Sequence, residues 1–405
     1  MHPYVGSIPF VAWRHSFLKK YLSIILSVVL TAIITFTGTV VVLSRYFYAP
    51  RESVYPDILT EIKEYIDRYA VFEFSEEDSE KALIYGYLSA LNDGFSFYWT
   101  AEEYAQQLSS NEGNFTGIGV SLQTSDPISG GLFVYRVLGN SPAQTAGIQP
   151  GDVIVAVNGK DVEGRPYDDV YNEMGVAVNS SLVLTVNRGE ETLQISVEFK
   201  EFVQNYVDYR MIGDVGFIRI HSFMMPAVAE FEAALNDLLA KGAKSFIFDL
   251  RNNLGGNLDC VEQIVSYLIP KGEETVVLQF KNNEEVHYSM GERKTDAPMV
   301  VLMNESSASA SELMASCLRD INKSLLIGTK SYGKGVGQST FELSDDSAVK
   351  FTTFHYLTKG RVHYDGVGLT PDQTVTLTED QEKYFYTLDE TNDPQLQAAL
   401  AALAK

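Results

Sequence analysis

The chain has 405 residues, of which 45% are hydrophobic, and carries a formal net charge of -22 at pH 7. This length predicts two or three domains with apolar cores of their own. We expect no nucleic-acid partner, because a phosphate backbone would repel a chain with this negative charge. The two cysteines and six histidines show no metal-ligand spacing, so we expect buried thiols, no metal and no cofactor.

An uncharged apolar run of roughly 24 residues, Tyr21 to Ser44, follows the amino terminus and is long enough to cross a ~30 Å hydrocarbon layer. More basic residues precede the run than follow it, which favours a cytoplasmic amino terminus. The sequence therefore predicts a single-pass anchor in the cell membrane, with everything beyond Arg45 extracytoplasmic. A cleaved signal peptide is the competing interpretation, but the run exceeds a typical signal core and no A-x-A site follows.

Helical periodicity comes next. Apolar residues recur at three or four residues from Ile58 to Ile66, and again from Ala82 to Leu91, which predicts two helices. The segment L-N-D-G-F-S-F-Y, Leu91 to Tyr98, follows. We interpret its aromatic residues as core residues that pack helices together, in preference to a substrate-binding role.

Short strands separated by glycine turns are predicted from Phe115 to Val197. The run A-G-I-x-x-G-D-x-I-x-x-V-N-G, Ala146 to Gly159, resembles a PDZ domain. The resemblance implies that backbone N–H groups of a glycine loop capture the free carboxylate of a peptide, which adds a strand beside Val120. The residues implied in this site are Gly117, Ile118, Gly119 and Val120. The alternative is that G-I-G is a simple hairpin turn.

From Tyr206 onward the predicted strands and helices alternate, which is typical of βαβ units on a largely parallel sheet. The predicted strands are Val215 to Ile220, Ser245 to Leu250, Met299 to Met303 and Ser324 to Gly328, and the predicted helices are Pro226 to Ala240, Asp259 to Ile269 and Ser309 to Ile321. Active sites of such sheets lie where strands end. A further helix is predicted in the tail, packed on the core or on another subunit of a homo-oligomer.

The stretch Asn304 to Gln338 carries the clearest chemistry. Ser309-x-x-Glu312 is typical of a capping box at a helix start, and the preceding apolar run predicts a strand. A hydroxyl at such a turn is exposed, and the helix N-terminus offers N–H groups to a developing oxyanion. Lys334 lies between two glycines. The simpler interpretation is a helix cap and a solvated loop lysine.

A phosphate-binding loop is a further alternative. Gly328-x-x-x-x-Gly333-Lys334 matches the first part of G-x-x-x-x-G-K-[ST]. The next residue is Gly335, which has no hydroxyl for Mg²⁺, and no helix start follows. These departures disfavour nucleotide binding.

The motif S-A-S-A-S-E, followed by Y-G-K-G-x-x-Q, resembles the carboxy-terminal processing peptidases, which are PDZ-containing Ser-Lys proteases of the S41 family. The resemblance implies that Ser309 is the nucleophile, that Lys334 is the general base and that Gln338 orients the lysine. Gly337 departs from the family pattern, where an apolar residue is usual.

A second motif, D-L-R-N-N-L-G-G from Asp249 to Gly256, resembles the family's D-L-R-N-N-P-G-G. It implies an oxyanion hole formed by the N–H of Gly255 or Gly256 together with that of Ala310. Leu254 replaces the family's proline, so the loop geometry is open.

The chemistry sets a condition on Lys334. A lysine accepts the proton of a serine only when its amine is neutral, so burial must lower its pKa. We therefore expect a buried amine that no carboxylate touches.

Together these features predict an α/β fold in which a crotonase-like tail-protease core carries an inserted PDZ domain, an N-terminal helical region and one transmembrane helix. The predicted domains are a cytoplasmic tail (1–20), an anchor (21–44), a helical region (45–110), a PDZ domain (111–199), a serine protease core (200–376) and a helical tail (377–405). The predicted function is a membrane-anchored, extracytoplasmic endopeptidase that recognises the carboxyl ends of polypeptides. The alternatives are a catalytically silent PDZ scaffold and an enzyme held latent by its PDZ domain.

Overall fold

The computed structural model describes residues 56–72, 75–175 and 177–404. The predicted anchor, Tyr21–Ser44, lies outside these ranges and remains a prediction. Among the residues that are described, no helix combines the length and apolar character that crossing a membrane requires.

The chain divides after Ala82 into two units. The described part of the first unit contains helix α1 (Pro56–Tyr69) and the start of helix α2 (Glu76–Ser89). The helix predicted from Ile58 to Ile66 is confirmed as α1, and its apolar residues Ile58, Ile62 and Tyr65 are about half exposed.

The second unit contains all the strands that the structure describes. Its first elements are β1 (Phe97–Trp99), α3 (Ala101–Asn111), β2 (Asn114–Gly117), β3 (Val120–Gln123), β4 (Leu132–Val137), α4 (Pro142–Ala146), β5 (Val153–Val157), β6 (Lys160–Asp161), α5 (Tyr167–Met174), β7 (Ser180–Arg188) and β8 (Glu191–Val203). The later elements are β9 (Val207–Ile212), β10 (Val215–Ile220), α6 (Pro226–Ala240), β11 (Ser245–Asp249), α7 (Leu258–Ser266), β12 (Glu274–Phe280), β13 (Glu284–Tyr288), β14 (Met299–Met303), α8 (Ala310–Asn322), β15 (Leu325–Gly328), β16 (Val336–Glu342), β17 (Ala348–Leu357), β18 (Gln373–Thr374), α9 (Glu379–Lys383) and α10 (Pro394–Leu403).

Strands β2 to β8 form one antiparallel sheet in the order β2-β8-β7-β5-β4-β3, with β6 beside β5. Alternate residues of its strands are buried, as in Leu182, Leu184 and Val186 of β7, because one face of the sheet covers an apolar core. Strand β3 lies at the end of the order, so one of its edges is unpaired within this sheet.

The central sheet has the order β18-β15-β14-β11-β10-β9, and every pair in it except β10 with β9 is parallel. All five residues of β14 are buried, as expected for a strand covered on both faces. The predicted alternation of strands and helices is confirmed, with ends that agree within three residues. The tail helix α10 packs Leu396 and Ala399 against this sheet, so it belongs to the core.

A five-stranded sheet completes the unit, in which β17 pairs with β1, β12 and β16. The β12–β13 hairpin was not predicted. In β16, a Cβ on Gly337 would lie 2.1 Å from the ring of Phe354, so a side chain there would displace that ring. The departure at Gly337 therefore lies in a strand and not in the turn, and it makes room for an aromatic residue of β17.

Candidate active site

The turn between β14 and α8 holds Ser309 in an unusual backbone conformation. Its φ is 55° and its ψ is -115°, a region that L residues with side chains seldom adopt and that costs about 1–3 kcal/mol. Nucleophilic serines on sharp strand-to-helix turns are presented in the same manner. The result is a side chain placed at the first turn of α8.

The three serines of S-A-S-A-S differ in their hydrogen bonds. The hydroxyl of Ser307 donates to the carbonyl of Leu250 at 2.8 Å, and that of Ser311 donates to the carbonyl of Asn253 at 2.8 Å. Among the described residues, Ser309 makes no such bond to a backbone carbonyl; its side chain is hydrogen bonded to that of Tyr356, and both residues line a groove. Of the three serines, Ser309 is the one that lines this groove.

The carboxylate of Glu312 joins this turn to the turn that carries Lys334. Glu312 is fully buried and accepts four hydrogen bonds: from the N–H of Ser309 (2.9 Å), the N–H of Lys334 (2.9 Å), the N–H of Gly333 (2.8 Å) and the hydroxyl of Ser331 (2.5 Å). Burial raises its pKa, and these hydrogen bonds oppose that rise. The sequence indicated only a cap at this position. The available signal was a lone acid in a run of small and apolar residues.

Lys334 lines the same groove as Ser309, a cleft of about 750 Å³. Its side chain is half-buried, and its Nζ lies 4.3 Å from the ring centroid of Phe95. Desolvation lowers the pKa of Lys334, the charge of Lys350 lowers it further, and Asp93 opposes this decrease. No carboxylate of the described residues forms an ion pair with the amine.

The amine and the Ser309 hydroxyl are not joined by a hydrogen bond in the part of the chain that the structure describes. The two groups thus line one groove, but a hydrogen bond between them would require the lysine side chain to move.

Gln338 lies on β16 and also lines the groove. Its amide donates to the hydroxyl of Thr352 on β17 at 3.1 Å. Within the described residues it makes no hydrogen bond to Lys334, so no direct contact supports the predicted orienting role.

The glycine loop after β11 lies directly against the Ser309 turn. A Cβ on Gly255 would lie 2.9 Å from the Cβ of Ser309 and 3.0 Å from the nitrogen of Ala310, and the φ of Gly255 is +101°; both features require glycine. The N–H of Gly255 donates to the side chain of Asn253 at 2.9 Å. In the described chain the N–H groups of Gly256 and Ala310 have no acceptor, so of the two predicted glycines, Gly256 is the one with a free donor.

A buried charge network supports this loop from behind. The guanidinium of Arg251 is fully buried and contacts Asp249 at 2.7 Å and Asp393 at 2.8 Å. These bonds join the loop to the start of α10, and the arginines beside Asp249 hold its pKa well below the usual range. The side chain of Asn252 also donates to the hydroxyl of Tyr135 in β4 at 3.0 Å. The loop therefore contacts the antiparallel sheet of β2 to β8 directly.

The second predicted site lies between β2 and β3. The carbonyl of Ile118 accepts the N–H of Ala143 at 2.8 Å, while the N–H groups of Ile118 and Gly119 find no acceptor among the described residues. Ile118 shares its apolar core with Val170 and Met174 of α5. A free strand edge, two free N–H groups and an apolar floor lie together here.

Comparison with known proteins agrees with this architecture. The profile of peptidase family S41 matches residues 214–375, and that of the PDZ domain matches residues 133–188. A probable CtpA-like serine protease of Staphylococcus aureus is 35% identical over 308 residues, which cover 75% of this chain and 62% of that protein. A protein of the same description from Staphylococcus saprophyticus is 33% identical over 304 residues, covering 74% and 61%. The chain thus spans about three fifths of the length of these relatives.

Two solved structures show the same fold. A photosystem II D1 C-terminal processing protease has a TM-score of 0.51 at 22% identity, covering 84% of this chain and 92% of the other. A putative S41 protease from Bacteroides fragilis has a TM-score of 0.60 at 20% identity, covering 78% and 87%. The paired S41 and PDZ matches, together with the curated relatives, support a C-terminal processing peptidase of family S41 that carries a PDZ domain.

Proposed function

We propose that the protein is a serine endopeptidase in which Ser309 attacks a peptide carbonyl and Lys334 accepts the proton of Ser309. The observation that carries the proposal is the groove itself. It is lined by Ser309, whose hydroxyl is not bonded to a backbone carbonyl of the described residues as those of Ser307 and Ser311 are, and by a half-buried lysine whose pKa is lowered by desolvation. The fold and the relatives support this chemistry over a cap or a solvated loop.

The reaction proceeds in two stages. The neutral amine of Lys334 swings from Phe95 to Ser309 and takes its proton as Oγ bonds to the substrate carbonyl carbon. The N–H groups of Gly256 and Ala310 donate to the carbonyl oxygen as it becomes negative, at the positive end of helix α8. The lysine then protonates the departing amine, leaving an acyl-enzyme. Water, deprotonated by the same amine, releases the acid product and the free serine.

Gln338 contributes by fixing the strand from which Lys334 emerges. Because its amide is bonded to Thr352, its orienting effect on the lysine acts through β17 unless the lysine's movement brings the two side chains together.

The PDZ domain supplies recognition. The free N–H groups of Ile118 and Gly119 suit a terminal carboxylate, the edge of β3 suits an added peptide strand, and the apolar floor suits an apolar last side chain. The substrates are therefore unfolded or flexible polypeptides with free apolar carboxyl ends. The predicted anchor at Tyr21–Ser44 would hold this activity at the extracytoplasmic face of the membrane.

The test is proteolysis of casein by the full-length chain. Wild type should cut casein, whereas Ser309→Ala and Lys334→Ala should each abolish cutting while remaining folded. A matched control is Ser316→Ala, a buried serine of the same helix whose hydroxyl bonds to the carbonyl of Leu313; it should still cut. Undiminished turnover by Ser309→Ala or Lys334→Ala refutes the proposal.

One observation favours a latent form of this enzyme over a freely active one. The amine of Lys334 is not hydrogen bonded to Ser309, so the pair requires an activating movement. Deletion of the PDZ segment Phe115 to Val197 distinguishes two origins of such latency. Higher basal cutting indicates that the domain restrains the site, and lost cutting indicates that it recruits substrate. A silent PDZ scaffold would show no cutting in any variant.

A further inference from the structure

The segment Leu91–Tyr98 precedes the PDZ domain and was interpreted from the sequence as core packing. Its aromatic residues have different environments in the structure. Tyr98 is buried, Phe97 is about half exposed, and Phe95 lies between these extremes. The face of the Phe95 ring is turned to the amine of Lys334, 4.3 Å from its centroid. This contact joins residues 239 positions apart, so local sequence gives no sign of it.

We propose that Phe95 is a positioning residue for Lys334: its ring holds the amine at the wall of the groove and shields it from water, ready to be delivered to Ser309. This inference rests on the proposed role of Lys334 as the base.

The first support is the way Phe95 is held. Asp93 accepts the N–H of Phe95 at 3.0 Å and the hydroxyl of Ser96 at 2.8 Å, which fixes the backbone that carries the ring. The same carboxylate accepts the N–H of Thr352 at 3.1 Å, which joins this segment to β17. These bonds fix the backbone of Phe95 relative to the strand that lies beside β16.

The second support is a continuous connection to Gln338. Its amide donates to the hydroxyl of Thr352, and the N–H of Thr352 donates to Asp93, which holds Phe95. The chain of contacts therefore runs from Gln338 to the ring above Lys334 without a direct glutamine–lysine bond.

The third support is the charge around the amine. The charges that act on the amine are those of Lys350, which also lines the groove, and Asp93; Lys350 repels a charged amine and Asp93 favours it. Desolvation exceeds both effects, and Phe95 supplies an apolar face at the amine. Cation–π attraction to the ring favours the charged amine, but it replaces a hydration shell and so offsets only part of the desolvation.

Peptidase kinetics test the proposal first. In Phe95→Ala the acid limb of the pH dependence of kcat/KM should move to higher pH, because an amine that regains water is protonated more readily, with a loss of activity at neutral pH that is largely recovered in alkaline solution. Phe95→Leu should show a smaller shift in the same direction and Phe95→Tyr almost none. The control is Phe341→Ala, a half-exposed ring of β16 that stacks on Phe351 outside the groove; its profile should match wild type.

A second measurement does not need activity. Lysines of the full-length Ser309→Ala chain are reductively methylated with ¹³C formaldehyde, the Lys334 signal is assigned with Lys334→Arg, and its titration is followed by NMR. Adding Phe95→Ala should raise the titration midpoint, and Phe95→Leu should do so less. If Phe95→Ala does not fold, the Phe95→Leu midpoint decides.

The proposal is overturned if the midpoint stays unchanged or falls when the ring is removed. If the amine titrates as proposed but no variant, wild type included, cuts casein, then the positioning role stands and the peptidase function fails. If wild type cuts casein and Phe95→Ala has a wild-type pH profile, then the function stands and the positioning role fails.

Discussion

The two halves of the site are built in opposite ways. On the nucleophile side, the hydroxyls of Ser307 and Ser311 and the buried carboxylate of Glu312 bond the backbone around Ser309 to its neighbours. On the base side, Glu312 bonds only the backbone of Lys334, and the side chain rests on Phe95. The difference shows that hydrogen bonds fix the backbone around Ser309, whereas no hydrogen bond of the described residues fixes the amine of Lys334, which must move in the proposed mechanism. The residues of the proposed site are therefore all present, but the side chain of Lys334 still has to move to reach Ser309.

The largest effect should come from removing the group that both halves share. Glu312→Ala leaves four donors without their acceptor, so we expect a loss of at least about 3 kcal/mol in the free energy of unfolding together with loss of casein cleavage. Urea denaturation followed by circular dichroism measures the first effect.

Glu312→Gln keeps the shape of the side chain but replaces one acceptor oxygen with an NH₂ group, so it should lose less stability than Glu312→Ala. If Glu312→Ala were as stable and as active as wild type, the two turns would not depend on this carboxylate.

A smaller effect is expected from loosening the nucleophile side alone. Ser311→Ala removes one buried hydrogen bond, the one to the carbonyl of Asn253, which also accepts the N–H of Ala308. The free energy of unfolding should fall by about 1 kcal/mol, and casein cleavage should persist, because the groove hydroxyl remains. Loss of all cleavage in this variant would show that Ser311, and not only Ser309, takes part in the chemistry.

The smallest expected effect concerns Lys334, and here the substitution should raise the free energy of unfolding instead of lowering it. Because desolvation lowers the pKa of Lys334 in the folded state, folding is opposed wherever the unfolded lysine is protonated. This opposition is fully present below the folded pKa and disappears above the unfolded value of about 10.4. Lys334→Met should therefore stabilise the inactive protein slightly at neutral pH and not at strongly alkaline pH.

Paired urea titrations of wild type and Lys334→Met at the two pH values measure this difference. Lys330→Met is a control on the same loop, since Lys330 lies four residues before Lys334 and does not line the groove. A destabilised Lys334→Met at neutral pH would mean that the amine gains more from Phe95 than it loses by burial.

The surroundings of Ser309 could be predicted from the sequence more fully than those of Lys334, because they are local. Ser309 and Glu312 lie in one turn, and the small residues, the strand and the helix that form it are adjacent in the sequence. The alternation of strands and helices in the central sheet was likewise predicted, since periodicity is local.

The missed features all depend on long-range packing. The four bonds to Glu312 require the turn at Gly333, the ring above Lys334 comes from the segment at Phe95, and the β12–β13 hairpin is stabilised by pairing with β17. The predicted contact between Gln338 and Lys334 was implied by the family resemblance, and in the structure the amide of Gln338 donates to Thr352 instead. The domain boundaries and the anchor remain predictions.

The central claim is that a neutral Lys334 is the base for Ser309, and the pH dependence of casein cleavage tests it most directly. We measure kcat/KM for wild type and Lys334→Ala from acid to alkaline pH. The account predicts that the wild-type rate rises with pH through the neutral range as the amine loses its proton, and that Lys334→Ala has no measurable rate at any pH. A wild-type rate that stays flat into acid conditions, or a Lys334→Ala variant that cuts as fast as wild type, would contradict it.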